Sequence, residues 1–175
     1  MSLTSTLWPE IPAFPARGEA AVLRITRQAP RAALRELARR CVIEVLHSWG
    51  FGQANLIEAA DGPRLAGCDE LSLSFSYAAE DVWIAIAHGS SVGIDATSVR
   101  AFEGMRDVAS LYLGRSGSDI DSPEAFAEAW SLHEAALKYH RLPLREWDPR
   151  TPKPPRHLTV REAGFAVSVV LEASA

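Results

Sequence analysis

Two short segments, far apart in the chain, carry residue types able to do chemistry. Val92-Gly93-Ile94-Asp95-Ala96-Thr97 places a carboxylate at the end of an apolar strand. Trp130-Ser131-Leu132-His133-Glu134-Ala135-Ala136-Leu137-Lys138 places a carboxylate and a lysine one helical turn apart, on one face. An apolar strand rarely ends in an unpartnered carboxylate, because burying a lone charge is costly. Hard divalent cations such as Mg²⁺ take one or two carboxylates together with phosphate oxygens and water. Asp95 and Glu134 would suffice if the helix crosses the strand end, and Lys138 could then reach a phosphate on the metal. On periodicity alone, a simple Glu134–Lys138 surface pair is the better account.

The elements that must position these residues are legible as periodicity. Ala20 to Arg27 alternates as a strand, and Pro30 breaks the chain. Leu34, Leu37, Ala38, Cys41, Val42, Val45, Leu46 and Trp49 fall at helical spacing, which predicts a helix over 31–49 with Gly50 as its stop. Its opposite face carries Arg31, Arg35, Arg39 and Arg40. Ala54–Ala59 reads as a short strand ended by Asp61-Gly62-Pro63. Leu71–Tyr77 alternates apolar residues with Ser72, Ser74 and Ser76, and the serines read as the polar face of a strand. Val82–Ala87 follows through a tight turn, and Gly89 leads into Val92–Asp95, so three consecutive antiparallel strands are expected. Phe102–Leu113 reads as a helix and 114–121 as a loop. Ser122-Pro123-Glu124 is a strong helix start, with Ser at the N-cap and Pro at the first position, and that helix should run to about His140. Pro143, Pro152, Pro154 and Pro155 mark an irregular connection. His157–Arg161, Gly164 and Phe165–Leu171 close the chain as a hairpin.

The order strand, helix, strands, helix, strands predicts an α+β protein of two similar lobes, 19–98 and 99–175, forming one unit. Residues 1–18 read as an irregular arm pinned by Leu7, Trp8, Ile11 and Phe14.

The chain has 175 residues, 47% of them hydrophobic and 23% charged, which fits a globular protein with a true core. Its net charge of −4 argues against a general nucleic-acid binder, which needs a basic face, but leaves room for a local basic pocket. Cys41 and Cys68 lack metal-site spacing and point to a reducing compartment and ordinary packing. The N-terminus does not read as a signal peptide, and no apolar run approaches about 20 residues, so a cytoplasmic protein without a membrane span is expected.

His133-Glu134 does not complete a zinc-protease motif, because Leu137 stands where the second histidine belongs. His133 and His140 lie seven residues apart and read as surface residues, and Asp119 and Asp121 as solvated loop acids. Trp130 reads as a core anchor supporting Glu134, and Trp83 and Trp147 as packing residues. No serine has a histidine and an acid in a recognisable nucleophile arrangement.

Gly93-Ile94-Asp95 with Trp130-Ser131-x-x-Glu134-Ala135-x-x-Lys138, in this order and spacing, resembles the signature of the 4'-phosphopantetheinyl transferase superfamily, of the holo-acyl-carrier-protein synthase type. Ser74-Phe75-Ser76-Tyr77 is similar to the family's Ser-His-Ser segment, and Gly62-Pro63-Arg64-Leu65 to its Gly-Lys-Pro-Tyr segment. Arg31 to Ile43 resembles the helix whose leading arginine holds coenzyme A. The likeness runs from Ala20 to Leu171.

The resemblance implies two lobes related by a pseudo-twofold, each a helix packed on a small antiparallel sheet, with the site at their junction. It implies Mg²⁺ on Asp95 and Glu134, binding the pyrophosphate of coenzyme A. A serine of an apo acyl or peptidyl carrier protein would attack the phosphorus bearing pantetheine, 3',5'-ADP would leave, and Glu134, directly or through a metal-bound water, would be the base. Lys138 would steady a phosphate. Arg31, the Ser76–Tyr77 turn and Arg64 would face the 3'-phosphate, and His133 would contribute to phosphate binding. The positively charged helix face would draw an acidic carrier. Lobe duplication implies a monomer.

Three positions depart from the family pattern. Thr97 stands where larger members carry a second strand acid, although some smaller, trimeric members have Thr there. His133 replaces a lysine, and Tyr77 a histidine. Between Ala20 and Arg31, basic residues are reduced to Arg24 and Arg27. These departures favour a second reading, a degenerate homologue that binds a carrier protein without transferring anything. A third reading is a metal-dependent hydrolase using Asp95, Glu134 and His133.

Overall fold

The computed structural model describes residues 3–59, 62–114 and 119–172. The protein is α+β, with three helices among the described residues and small antiparallel or mixed sheets. The first sheet is built from β1 (Ser5–Leu7), β2 (Ala20–Thr26), β5 (Leu71–Ala78) and β6 (Asp81–His88), in the order β1-β2-β6-β5. β1 pairs parallel to β2, and the other pairings are antiparallel. β3 (Asn55–Ala59) and β4 (Gly62–Ala66) form a separate ribbon. The last sheet has the order β7-β9-β8, from Val92–Ser98, Phe165–Leu171 and Arg156–Glu162 respectively, all antiparallel. The helices are α1 (Arg31–Ser48), α2 (Met105–Leu113) and α3 (Pro123–Tyr139).

β6 explains the layering. Val82, Ile84 and Ile86 alternate with Trp83, Ala85 and Ala87, and all six are buried. A strand covered on both faces reads as a continuous apolar run. The first set packs against Leu34, Ala38, Cys41, Val42, Val45 and Leu46 of α1. The second packs against Ile94 and Ala96 of β7 and Val167 and Val169 of β9. On the far side of that last sheet, Val170 meets Ala135 and Ala136 of α3. The order through the molecule is therefore α1, four-stranded sheet, three-stranded sheet, α3. The chain passes from the first sheet to the last once, through Gly89-Ser90-Ser91. α3 starts as its sequence dictates: the Ser122 hydroxyl accepts from the Ala125 amide at 3.2 Å, with Pro123 in the first turn.

Several expectations need correction. β7 does not extend the β5–β6 hairpin; it joins β9 in the other sheet. The Ile94 and Ala96 amides on its open edge donate instead to the Ser74 and Ser76 hydroxyls of β5, at 3.1 and 3.0 Å. Ser74 and Ser76 are thus buried between sheets rather than facing solvent. Gly62–Ala66 is a strand, where a chain break was expected at Gly62-Pro63; Asp61 lies outside the described residues. α2 starts at Met105 and not Phe102, because Gly104 takes φ +77 and cannot continue a right-handed helix. The arm contains β1. Trp8 packs on the core, and the Trp49 indole donates to the Pro12 carbonyl at 2.9 Å, with Phe14 edge-on to Trp49. Leu7 and Ile11 are exposed. Part of the expected 114–121 loop lies outside the described residues. Cys41 and Cys68 are both free and buried, and no helix of the described residues is long and apolar enough to cross a membrane.

Candidate functional site

The site begins at a missing side chain. A Cβ on Gly93 would lie 2.0 Å from the Ala135 carbonyl oxygen and 2.6 Å from the Tyr139 amide nitrogen. Only glycine lets the α3 backbone lie this close across β7. Asp95 is two residues on, on the same face of the strand, so it too points toward α3. A second anchor sets the helix on the sheet. The Ser131 hydroxyl lies 2.7 Å from that of Ser168 on β9, which lies 2.7 Å from that of Thr159 on β8.

These contacts bring Asp95, Glu134 and Lys138 together. The Asp95 side chain is 6% exposed. Its Oδ1 accepts from Lys138 Nζ at 2.6 Å and from the Ser76 hydroxyl at 2.8 Å, and its Oδ2 accepts from the Thr97 hydroxyl at 2.9 Å. Lys138 Nζ also donates to the Ile94 carbonyl at 3.0 Å and lies 3.9 Å from Glu134 Oε2. Glu134 Oε1 accepts from the Trp130 indole at 3.0 Å, so Trp130 orients this carboxylate. Burial, followed by the nearby Asp95 carboxylate, pushes the Glu134 carboxyl above its ordinary value; Lys138 and the Trp130 bond oppose that shift. A carboxylate so raised is a better proton acceptor than one at its ordinary value.

Lys138 also borders a cavity of about 700 Å³ at the junction of the two sheets. Arg35 and Arg39 of α1, Glu58 of β3, Tyr77 of β5 and Arg141 beyond α3 line it as well. Four cations and one acid make it electropositive in a chain of net charge −4, and Glu58 is already engaged by Arg39. The guanidinium groups of Arg31 and Arg35 lie over the Tyr77 ring, 5.5 and 5.9 Å from its centroid. The cavity thus offers anion contacts beside an aromatic face.

The remaining residues singled out in the sequence are placed differently. Ser76 and Tyr77 lie within β5, not at a turn, and adjacent strand residues point to opposite faces. Ser76 therefore serves Asp95, and Tyr77 alone faces the cavity. Arg31 lies over the Tyr77 ring and Arg64 is exposed on β4, and neither is among the lining residues. His133 packs beside Trp130, 6.1 Å between ring centroids, with a buried Nε2 that has no hydrogen-bond partner. Burial and then Arg145 hold His133 below its ordinary pKa, and it does not line the cavity. Arg24 is committed to buried Asp81 at 2.8 Å. Arg35 and Arg39 were read only as part of a charged helix face, and Arg141 was not singled out. Spacing of four residues between Arg31, Arg35 and Arg39 was the available signal.

Among the described residues, no cluster of three or more His, Cys, Asp or Glu side chains is arranged to hold a metal. Asp95 and Glu134 nevertheless form a two-carboxylate set that already has a cationic group between them. Such a pair suits a hard cation whose remaining ligands are phosphate oxygens and water. No protein-family model and no curated protein matches the chain.

Proposed function

We propose that the protein is a 4'-phosphopantetheinyl transferase, moving phosphopantetheine from coenzyme A to a serine of an apo acyl or peptidyl carrier protein. The observation that carries this reading is the convergence of Asp95, Glu134 and Lys138, with Lys138 Nζ 2.6 Å from Asp95 and on the wall of an electropositive cavity. The packing of one helix on the outer face of each main sheet supports two similar lobes related by a pseudo-twofold, with the site at their junction and a monomer as the working unit. Asp95 and Glu134 would hold Mg²⁺, which when bound neutralises charge on the pyrophosphate. Arg35, Arg39 and Arg141 take the donor's phosphates, and Tyr77 offers its ring to the nucleotide.

In the transfer, the carrier serine oxygen bonds to the phosphorus bearing pantetheine, and the bond from that phosphorus to the bridging oxygen breaks. The electron pair leaves with 3',5'-ADP, and Glu134 takes the serine proton. Lys138 steadies the charge on the departing phosphate. Ser76 and Thr97 orient Asp95 and do not touch the donor; Arg64 and His133 stand outside this arrangement. A carrier-binding homologue without transfer is the second reading. The Lys138 ammonium seated on Asp95 favours it.

Incubation with Mg²⁺, coenzyme A and an apo carrier, read by intact mass, is the test. The carrier is expected to gain the phosphopantetheine mass, and Glu134→Ala to lower the rate by about 10²-fold or more. No gain across several carriers, together with no coenzyme A binding by calorimetry, overturns the transferase reading. Coenzyme A binding without transfer supports the second.

A further inference from the structure

We infer that the Lys138 ammonium and a divalent cation are alternative occupants of one seat between Asp95 and Glu134. The ion then enters only as Lys138 turns away toward an anion in the cavity. This deepens the transferase reading and rests on it for the identity of the cation.

Three observations carry the inference. Lys138 Nζ lies 2.6 Å from Asp95 Oδ1 and 3.9 Å from Glu134 Oε2, so it occupies the space that an ion bridging the two carboxylates requires. Asp95 is nearly buried, with Ser76 donating to its Oδ1 and Thr97 to its Oδ2, so the direction from which Lys138 reaches Oδ1 is where a further cation can approach. The same lysine lines the cavity, beside Arg141 and across from Arg35 and Arg39. Its flexible four-carbon stem allows the ammonium to change partner without movement of α3.

Charge decides the coupling. An ammonium and a dication on one oxygen of a carboxylate as buried as Asp95 repel each other. Withdrawing the lysine with no replacement leaves Asp95 buried and unpaired, which is costly as well. With the anion absent, Lys138 therefore holds the seat. An anion in the cavity gives the ammonium a new partner at the moment a dication can replace it on Asp95. Lys138 is on this account a positioning residue that sets the order of binding: anion and ion arrive together, and the free ion binds poorly.

The test uses the full chain and Mn²⁺ alone, with free Mn²⁺ read by electron paramagnetic resonance. Lys138→Gln keeps a donor toward Asp95 and the Ile94 carbonyl but removes the charge, and Lys138→Met removes both. Each variant is expected to bind Mn²⁺ about tenfold or more tightly than the wild type, which is 1.4 kcal/mol or more. Asp95→Asn in the Lys138→Gln background should abolish the gain. A second arm needs no variant: inorganic sulfate, a weak chelator, should tighten Mn²⁺ binding by the wild type and leave Lys138→Gln unchanged. Equal or weaker Mn²⁺ binding by the variants, or no effect of sulfate on the wild type, overturns the inference. Neither coenzyme A nor a carrier is present, so failure here is separate from failure of the transfer assay.

Discussion

A methyl group on Gly93 would meet backbone atoms of α3, and a helix held by its own ladder cannot yield them one at a time. Gly93→Ala is expected to lower unfolding free energy by about 3 kcal/mol or more, measured by urea denaturation. Glu134 gives a different kind of prediction. Its carboxyl lies above the ordinary value of 4.5, so the native state holds that proton more tightly than the unfolded chain does. Ionised Glu134 thus costs stability, fully so above its folded pKa and not at all once pH falls below the unfolded value. Glu134→Gln should be more stable than the wild type at pH 8, and its advantage should shrink as pH falls toward 4.5, followed by denaturant midpoints across pH. Asp95 was legible because a carboxylate closing an apolar strand stands out, whereas Glu134 is a common helix residue and was singled out only by the family resemblance. The work of Gly93 was hidden, since a glycine in a strand shows that something approaches but not what. Ser76 was hidden for the same reason: alternation tells which residues share a face and not what covers it.

Between β5 and β7, hydroxyls take the place of a backbone ladder. Ser76 accepts from the Ala96 amide and donates to Asp95, so its removal orphans a buried N–H and loosens a carboxylate together. Ser76→Ala is expected to cost about 1–3 kcal/mol in urea denaturation, more than Ser72→Ala, whose hydroxyl bonds only a loop carbonyl. Helices were the most legible elements, since α1 follows its apolar spacing and α3 its Ser122-Pro123 start. β7 was misplaced because a short link after β6 fits a hairpin as well as a crossing, and its true partner, β9, lies far along the chain. β4 was missed because Gly62-Pro63 punctuates most sequences; a proline is tolerated on the outer side of a two-stranded ribbon.

Trp83 lies fully buried between the two main sheets, edge-on to Phe165 with 6.1 Å between ring centroids, and joins the layers into one core. Trp83→Ala should cost about 3–5 kcal/mol. Far-UV circular dichroism and tryptophan fluorescence should then report one coincident transition rather than two. The Trp83 indole N–H has no partner, so Trp83→Phe should retain most of that stability. At this scale the α+β class and the order of all elements but β1 and β4 were readable, because they follow from local periodicity. The face-to-face stacking was not, because β6 shows only that both its faces are covered. The solitary passage through Gly89-Ser90-Ser91 has a practical meaning. Every strand of one main sheet precedes it and every strand of the other follows, so the molecule divides there into two uninterrupted pieces. Asp95, Glu134 and Lys138 go with the second piece, Arg35, Arg39 and Tyr77 with the first. Co-expressed as separate polypeptides broken at Ser90, the halves should recover each other as a noncovalent heterodimer on size-exclusion chromatography, each masking the apolar sheet face its companion would otherwise leave bare.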